Sequence, residues 1–139
     1  MDGPRFTIGG IDHIVLRVRD LPRSLRFYRE ALGCTVEREQ RELGLTQLRA
    51  GRSLIDLVTV DGPLGARAAA GAAAQPNLEH FCLSIVPFEE PALQAHLAAH
   101  GIAAEEPASR YGAEGEGPSF YISDPDGNRI ELKGGRSVP

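Results

Sequence analysis

Four side chains in this 139-residue chain have the types and spacing to do chemistry. Two are histidines, each preceded by an acid: Asp12-His13 and Glu79-His80. Two are acids held between apolar residues: Asp56 in Ile55-Asp56-Leu57 and Glu131 in Ile130-Glu131-Leu132. Two imidazoles with one or two carboxylates, leaving coordination positions open, suit Fe(II), Mn, Ni, Co or Zn. An unpartnered buried carboxylate is costly, and a divalent cation removes that cost. A single histidine on a strand is ordinarily a hydrogen-bonded structural residue. The recurrence of both types at matched places in two halves is what points to a metal. Asp56 is one methylene shorter than Glu131, so it reaches such an ion directly or through water.

The elements that must position these groups follow from periodicity. In Ile11–Arg19, Ile14, Leu16 and Val18 alternate with His13, Val15, Arg17 and Arg19, a half-buried strand with His13 turned away from its apolar face. Asp20 is a helix N-cap and Pro22 a tolerated first-turn residue. Leu21, Leu25, Tyr28 and Leu32 then form one helical stripe, packed under the first strand and ended by Gly33. Thr35–Arg41, Leu45–Ala50 and Leu54–Val60 read as strands, with Gly44 and Gly51 as turns. Leu78–Ile85 repeats Ile11–Val18 at an offset of 67, residue type by residue type. A helix over Pro91–His100 follows, then strands near Ile102–Glu105, Ser119–Ser123 and Arg129–Lys133. Asp124-Pro-Asp-Gly-Asn128 is a hairpin turn. The chain thus reads as an internal duplication of a strand–helix–three-strand unit, with module 1 about 11–60 and module 2 about 78–133. The Ala/Gly-rich stretch 61–77 is the linker or mobile loop between them. In this arrangement the two imidazoles and two carboxylates face the concave side of a curved sheet.

Composition narrows the function classes. The length fits one domain spanning residues 1–139. Apolar residues make up 42% and charged residues 24%, with a net charge of -4, so no basic excess favours nucleic acid. Two cysteines, Cys34 and Cys82, exclude a disulfide scaffold and fit a reducing compartment. No apolar run approaches the ~20 residues of a membrane span, and no signal core opens the chain. The expectation is a cytoplasmic protein with a small-molecule partner. Other candidates read as structural. Cys82 is a small hydrophobe facing the site. His96 and His100 lie at a helix C-terminus, where a cation is favoured anyway. Gly112–Gly117, lacking a following Lys, is a mobile lid with Arg110 and Tyr111 rather than a phosphate cradle.

The motifs DHIVLRVRDLPRSLRFYREALG, LEHFCLSI and SFYISDPDGNRIEL resemble the vicinal oxygen chelate superfamily, which includes glyoxalase I, extradiol dioxygenases, fosfomycin-resistance proteins and bleomycin-binding proteins. The resemblance spans about Ile11 to Lys133. It implies an α+β fold of two tandem βαβββ modules forming an incomplete, cupped mixed β-barrel, within or between subunits and often as a homodimer. It places metal ligands on His13, His80 and Glu131, with Asp56 where glyoxalase I has a further glutamate. It gives Arg17 the role of clamping a substrate carboxylate, as a guanidinium can. The run from Gly115 to Asn128 is similar to the fosfomycin-resistance branch, where residues at the places of Ser119 and Tyr121 contact the phosphonate. Val15 departs from that branch, which has a Thr there.

The reaction expected from these residues is that of a metal-dependent lyase or isomerase of glyoxalase type. A divalent cation stabilises a developing oxyanion on a small substrate, such as a thiol conjugate. Glu131 or Asp56 moves a proton. A fosfomycin-resistance-like transferase or hydrolase is one alternative. Ring-cleaving dioxygenation with Fe(II) is another, although no third histidine is aimed at the site. The non-enzymatic alternative is sequestration of a drug in an acidic groove, as in bleomycin-type proteins.

Overall fold

Strand alternation and turn chemistry give, among the described residues, eight strands in two mixed four-stranded sheets. The computed structural model describes residues 4–6, 8–70 and 78–136. They divide into two compact units. One holds the residues before Asp20 together with Cys34–Ala70, the other Asp20–Gly33 together with the residues after Ala70.

The first unit is a sheet in the order β1-β4-β3-β2. Its strands are β1 (His13–Val18), β2 (Thr35–Gln40), β3 (Leu45–Ala50) and β4 (Ser53–Thr59). β1 and β4 run parallel, and the antiparallel pairs β4–β3 and β3–β2 complete the sheet. Leu16, Val18, Leu48, Ile55 and Leu57 are buried, so the alternation in β1 reads correctly. Within the stretch expected as a linker, the described residues include a helix. Pro63–Ala70 is a helix, α2, opening on a proline where the missing N–H has no intrahelical partner to lose. Residues 71–77 lie outside the described part. α2 runs against the end of β4, and Gly65 permits this. A Cβ there would stand 2.0 Å from the Thr59 carbonyl oxygen.

The second unit repeats the plan in the order β5-β8-β7-β6. Its strands are β5 (Phe81–Ile85), β6 (Ala108–Gly112), β7 (Gly115–Ser123) and β8 (Arg129–Gly134). The duplication extends to register. Asp56 on β4 pairs with Val15 and Gln47, and Glu131 on β8 pairs with Cys82 and Tyr121. Each acid therefore sits on the strand flanked by its unit's opening strand and by the preceding hairpin strand.

The helix α1 (Leu21–Leu25) is capped by the Asp20 side chain, which accepts from the Arg23 N–H at 3.1 Å. It widens into a π-helical stretch, Arg26–Ala31. Leu32 N–H closes an i−5 bond to Phe27 at 3.1 Å, and Gly33 ends it at φ 80°. Two expectations are corrected here. By its contacts α1 belongs to the second unit, not to the one its flanking strands build. Its buried residues are Ser24, Phe27, Tyr28 and Ala31, whereas Leu21, Leu25 and Leu32 are only half-buried. Hydroxyl partners account for that face. Tyr28 Oη donates to Asp124 Oδ2 at 2.6 Å, and Ser24 Oγ donates to Asp126 at 3.3 Å. The last helix, α3 (Glu90–Ala99), lies beside it, and His96 Nε2 donates to the Ala31 carbonyl at 2.8 Å. That bond gives His96 the structural role expected of it.

One more correction concerns the second unit. Ile102–Glu105 is not a strand. Its Ile102 N–H turns back to the Leu97 carbonyl at 2.9 Å, and its Glu105 N–H reaches the Tyr121 carbonyl at 2.9 Å, before Pro107, which has no N–H to give. The glycine-rich stretch expected as a lid lies in the β6–β7 hairpin, laddered from Ala108↔Ser119 to Gly112↔Gly115. The Asp124–Asn128 turn is as expected. Asp124 Oδ1 accepts the N–H groups of Asp126 and Asn128, and Oδ2 accepts Asn128 Nδ2. Among the described residues no helix is long and apolar enough to cross a membrane.

Candidate functional site

In the second unit His80 immediately precedes β5, and Glu131 lies in the middle of β8. His80 Nε2 stands 3.3 Å from Glu131 Oε1. Its Nδ1 side is taken by the Glu79 carboxylate. Glu131 is buried, at 7% exposure. The hydrogen bond from His80, with help from Arg129, holds the Glu79 carboxyl below the usual range. An acid on one ring nitrogen fixes the imidazole's orientation and leaves the other nitrogen for a ligand.

The first unit repeats this. His13 Nδ1 meets Asp12 Oδ1 at 2.8 Å, and His13 Nε2 lies 4.0 Å from Asp56 Oδ2. The Asp12 hydrogen bond, then the Asp56 charge, raise the His13 pKa. Asp56 Oδ2 accepts from Gln47 Nε2 at 3.2 Å. Asp56 Oδ1 is buried with no hydrogen-bond partner. A lone buried carboxylate oxygen calls for a cation or a proton. The acid before each histidine is thus part of the pattern, and it was visible in sequence as a repeated acid-His pair.

The predicted residues therefore assemble as two pairs, His13 with Asp56 and His80 with Glu131. Among the described residues no group of three or more His, Cys, Asp or Glu is arranged to hold a metal. The donor types, the anchored imidazoles and the orphaned oxygen of Asp56 nonetheless fit a divalent cation.

The substrate candidates fall into different settings. The Tyr121 ring meets His80 edge-on, with centroids 5.2 Å apart. Two guanidiniums flank that ring, Arg129 at 3.7 Å and Arg110 at 4.7 Å. Arg129 also pairs with Glu79 and Glu105, at 3.1 and 3.0 Å. Ser119 is fully buried, and its Oγ and carbonyl both accept from Arg110 Nη1 at 2.8 Å. Its contact is thus with Arg110, which it orients beside Tyr121. Arg17 Nε donates to the Gly65 carbonyl at 3.1 Å, which ties its guanidinium to α2.

A cavity of about 220 Å³ opens on the Glu131 face of the second sheet, bordered by Cys82, Ser84, Glu114 and Lys133. Burial first, then the Glu131 charge, push the Cys82 thiol up to about 11, with Lys133 pulling the other way. Sequence reasoning missed Lys133 and the stacking roles of Arg110 and Arg129. Only the spacing Glu131-Leu132-Lys133, which puts Lys133 on the acid's face, could have signalled the first.

Comparison with known proteins bears on this geometry. The sequence model of the Glyoxalase/Bleomycin resistance protein/Dioxygenase superfamily matches residues 10–132. Virulence protein STM3117 of Salmonella typhimurium is 33% identical over 130 residues, covering 92% of this chain and 85% of that protein. Glyoxalase domain-containing protein RDO1 of Mycosarcoma maydis is 33% identical over 129 residues, covering 92% of this chain and 69% of that protein. The crystal structure of STM3117 superposes with a TM-score of 0.74 at 30% identity, over 93% of this chain and 98% of that one. An integron cassette protein of V. Cholerae, VCH_CASS1, gives 0.73 at 28% identity, over 94% and 98%. Sheet order, duplicated register and sequence match agree: the chain belongs to the Glyoxalase/Bleomycin resistance protein/Dioxygenase (vicinal oxygen chelate) superfamily, many of whose members are enzymes and often metal-dependent.

Proposed function

We propose that this protein is a metal-dependent lyase or isomerase of glyoxalase type, acting on a small oxygenated substrate. The observation that carries the reading is the twice-built pair, an acid-anchored imidazole presenting Nε2 to a buried carboxylate. His13, His80, Glu131 and Asp56 would hold one divalent ion. Once bound, the ion would supply Lewis-acid polarisation of substrate oxygens. Glu131 moves a proton: its carboxylate is buried beside His80 Nε2, where a carboxylate can act as a general base. Asp56, already hydrogen-bonded by Gln47, is the second acid. Tyr121, flanked by Arg110 and Arg129, walls the substrate side, and Ser119 sets Arg110. Arg17 is the anion clamp of the first unit. We read the protein as a cytoplasmic homodimer, which sedimentation would check.

The test is metal analysis of purified protein, followed by isomerisation of a hemithioacetal (a thiol conjugate) with Ni, Co or Zn. Turnover that falls about 10²-fold or more in Glu131→Gln while metal is retained supports the proton-transfer role. Absence of stoichiometric metal favours drug sequestration instead. Oxygen uptake with a catechol and Fe(II) favours ring cleavage.

A further inference from the structure

Lys133 is the only lysine in a chain with fourteen arginines. It is also buried, at 7% exposure. Lysine is rarely buried without a partner, because its ammonium loses hydration. Among the described residues Lys133 has no ion pair and no hydrogen bond. Two glycines leave it room. A Cβ on Gly112 would meet the Lys133 stem at 3.0 Å, and one on Gly117 would meet Nζ at 3.1 Å. These glycines lie in the β6–β7 hairpin beside the lysine. Lys133 lines the cavity of about 220 Å³ together with Cys82, Ser84, Glu114 and Glu131.

The other charges at the cavity identify what is missing. Glu114 accepts from Ser84 Oγ at 3.5 Å and from the Arg136 N–H at 3.2 Å. Glu131 faces His80. If Glu131 gives its charge to a bound cation, the ammonium of Lys133 is left buried and unmatched. Two residues along a strand on one face are about 6–7 Å apart. A ligand of four or five heavy atoms spans that distance, and the cavity's volume admits it.

We propose that Lys133 is the anion-binding residue of this site, holding the carboxylate or sulfate-like oxyanion of a small substrate whose other oxygens point toward the Glu131–His80 corner. This rests on the metal reading for Glu131, and the test separates the two. Uniform ¹³C-lysine labelling gives one side-chain signal set, because Lys133 is the only lysine. The probes are sodium acetate and sodium sulfate against sodium chloride at equal ionic strength. They are added to the zinc-loaded protein and to metal-free Glu131→Gln, which removes the competing charge without a metal. We expect a saturable shift of the Lys133 Cε signal with acetate or sulfate, in the millimolar range or tighter, and none with chloride. Response to acetate alone assigns a carboxylate substrate, and to sulfate alone a tetrahedral oxyanion. The same additions to Lys133→Met, followed by calorimetry, should lose at least tenfold in affinity, and Lys133→Arg should recover part of it. A saturable shift in Glu131→Gln with no zinc bound by the wild-type chain sinks the metal reading and keeps this one. No shift beyond that of chloride in either protein overturns the proposal, even if zinc binds.

Discussion

Cys82 and Glu131 face each other across paired strands, so each reports on the other. The Cys82 thiol is pushed up to about 11, by burial first and by Glu131 second. The neutral thiol therefore persists as pH rises past the range where ordinary cysteines ionise, and thiolate appears only on approach to about 11. Iodoacetamide labelling at pH 8, followed by mass spectrometry, should be about 10²-fold slower than for an ordinary exposed thiol. Glu131→Gln should shift the labelling profile to lower pH, since a repelling charge is gone. An unshifted profile would mean that the charge of Glu131 does not reach the thiol. Asp56 offers a complementary test, because its buried Oδ1 has no partner. Asp56→Asn keeps an oxygen for Gln47 and removes a stranded charge. The metal-free variant should be more stable than wild type by about 1 kcal/mol in urea denaturation, while its affinity for metal falls. Lower stability without metal would show that the carboxylate is satisfied in some other way.

At the scale of elements, β1 to β5 and β8 were legible because alternation and acid-His pairs recur at one fixed offset, and the paired register preserves that repeat. The face of α1 was not legible. Leucine spacing favours Leu21, Leu25 and Leu32, but the Tyr28 and Ser24 hydroxyls have partners in a turn about a hundred residues away. No local pattern encodes that bond. The β6–β7 hairpin was hidden for a different reason. Glycine reads as a breaker, yet Gly112 and Gly117 lie in paired strands against Lys133, whose burial only the folded sheet reveals. Of the candidate site, the His and acid positions were readable, and the cations around Tyr121 and the cavity were not. The Tyr28–Asp124 bond is open to measurement. Tyr28→Phe removes one donor while Asp124 keeps its bonds from Asp126 and Asn128. The expected loss is about 1–2 kcal/mol of unfolding free energy, seen as a lower urea midpoint at unchanged m-value. A loss below the error of the measurement would mean that the Tyr28–Asp124 bond does not hold the π-helical stretch in place.

For the whole molecule the question is whether two copies of one plan serve one ion or two. Each unit carries one imidazole and one buried carboxylate, and a pair of side-chain donors is a weak site alone. The proposed ligand set takes one pair of each kind to one ion, whichever chains of a dimer they come from, which gives one ion per chain. It also fixes the mutational pattern. Groups on one ion act as a unit, so their losses do not add. His13→Ala and His80→Ala should each lower zinc affinity by about 10²-fold or more, and the double variant should lose little beyond either. Zinc titration against a competing chromophoric chelator reads all three. Two independent sites would give a different result: two ions bound by wild type, and one retained at full affinity in each single variant. That outcome would mean that the duplication built two separate weak sites, and the enzyme reading would fall with the shared ion.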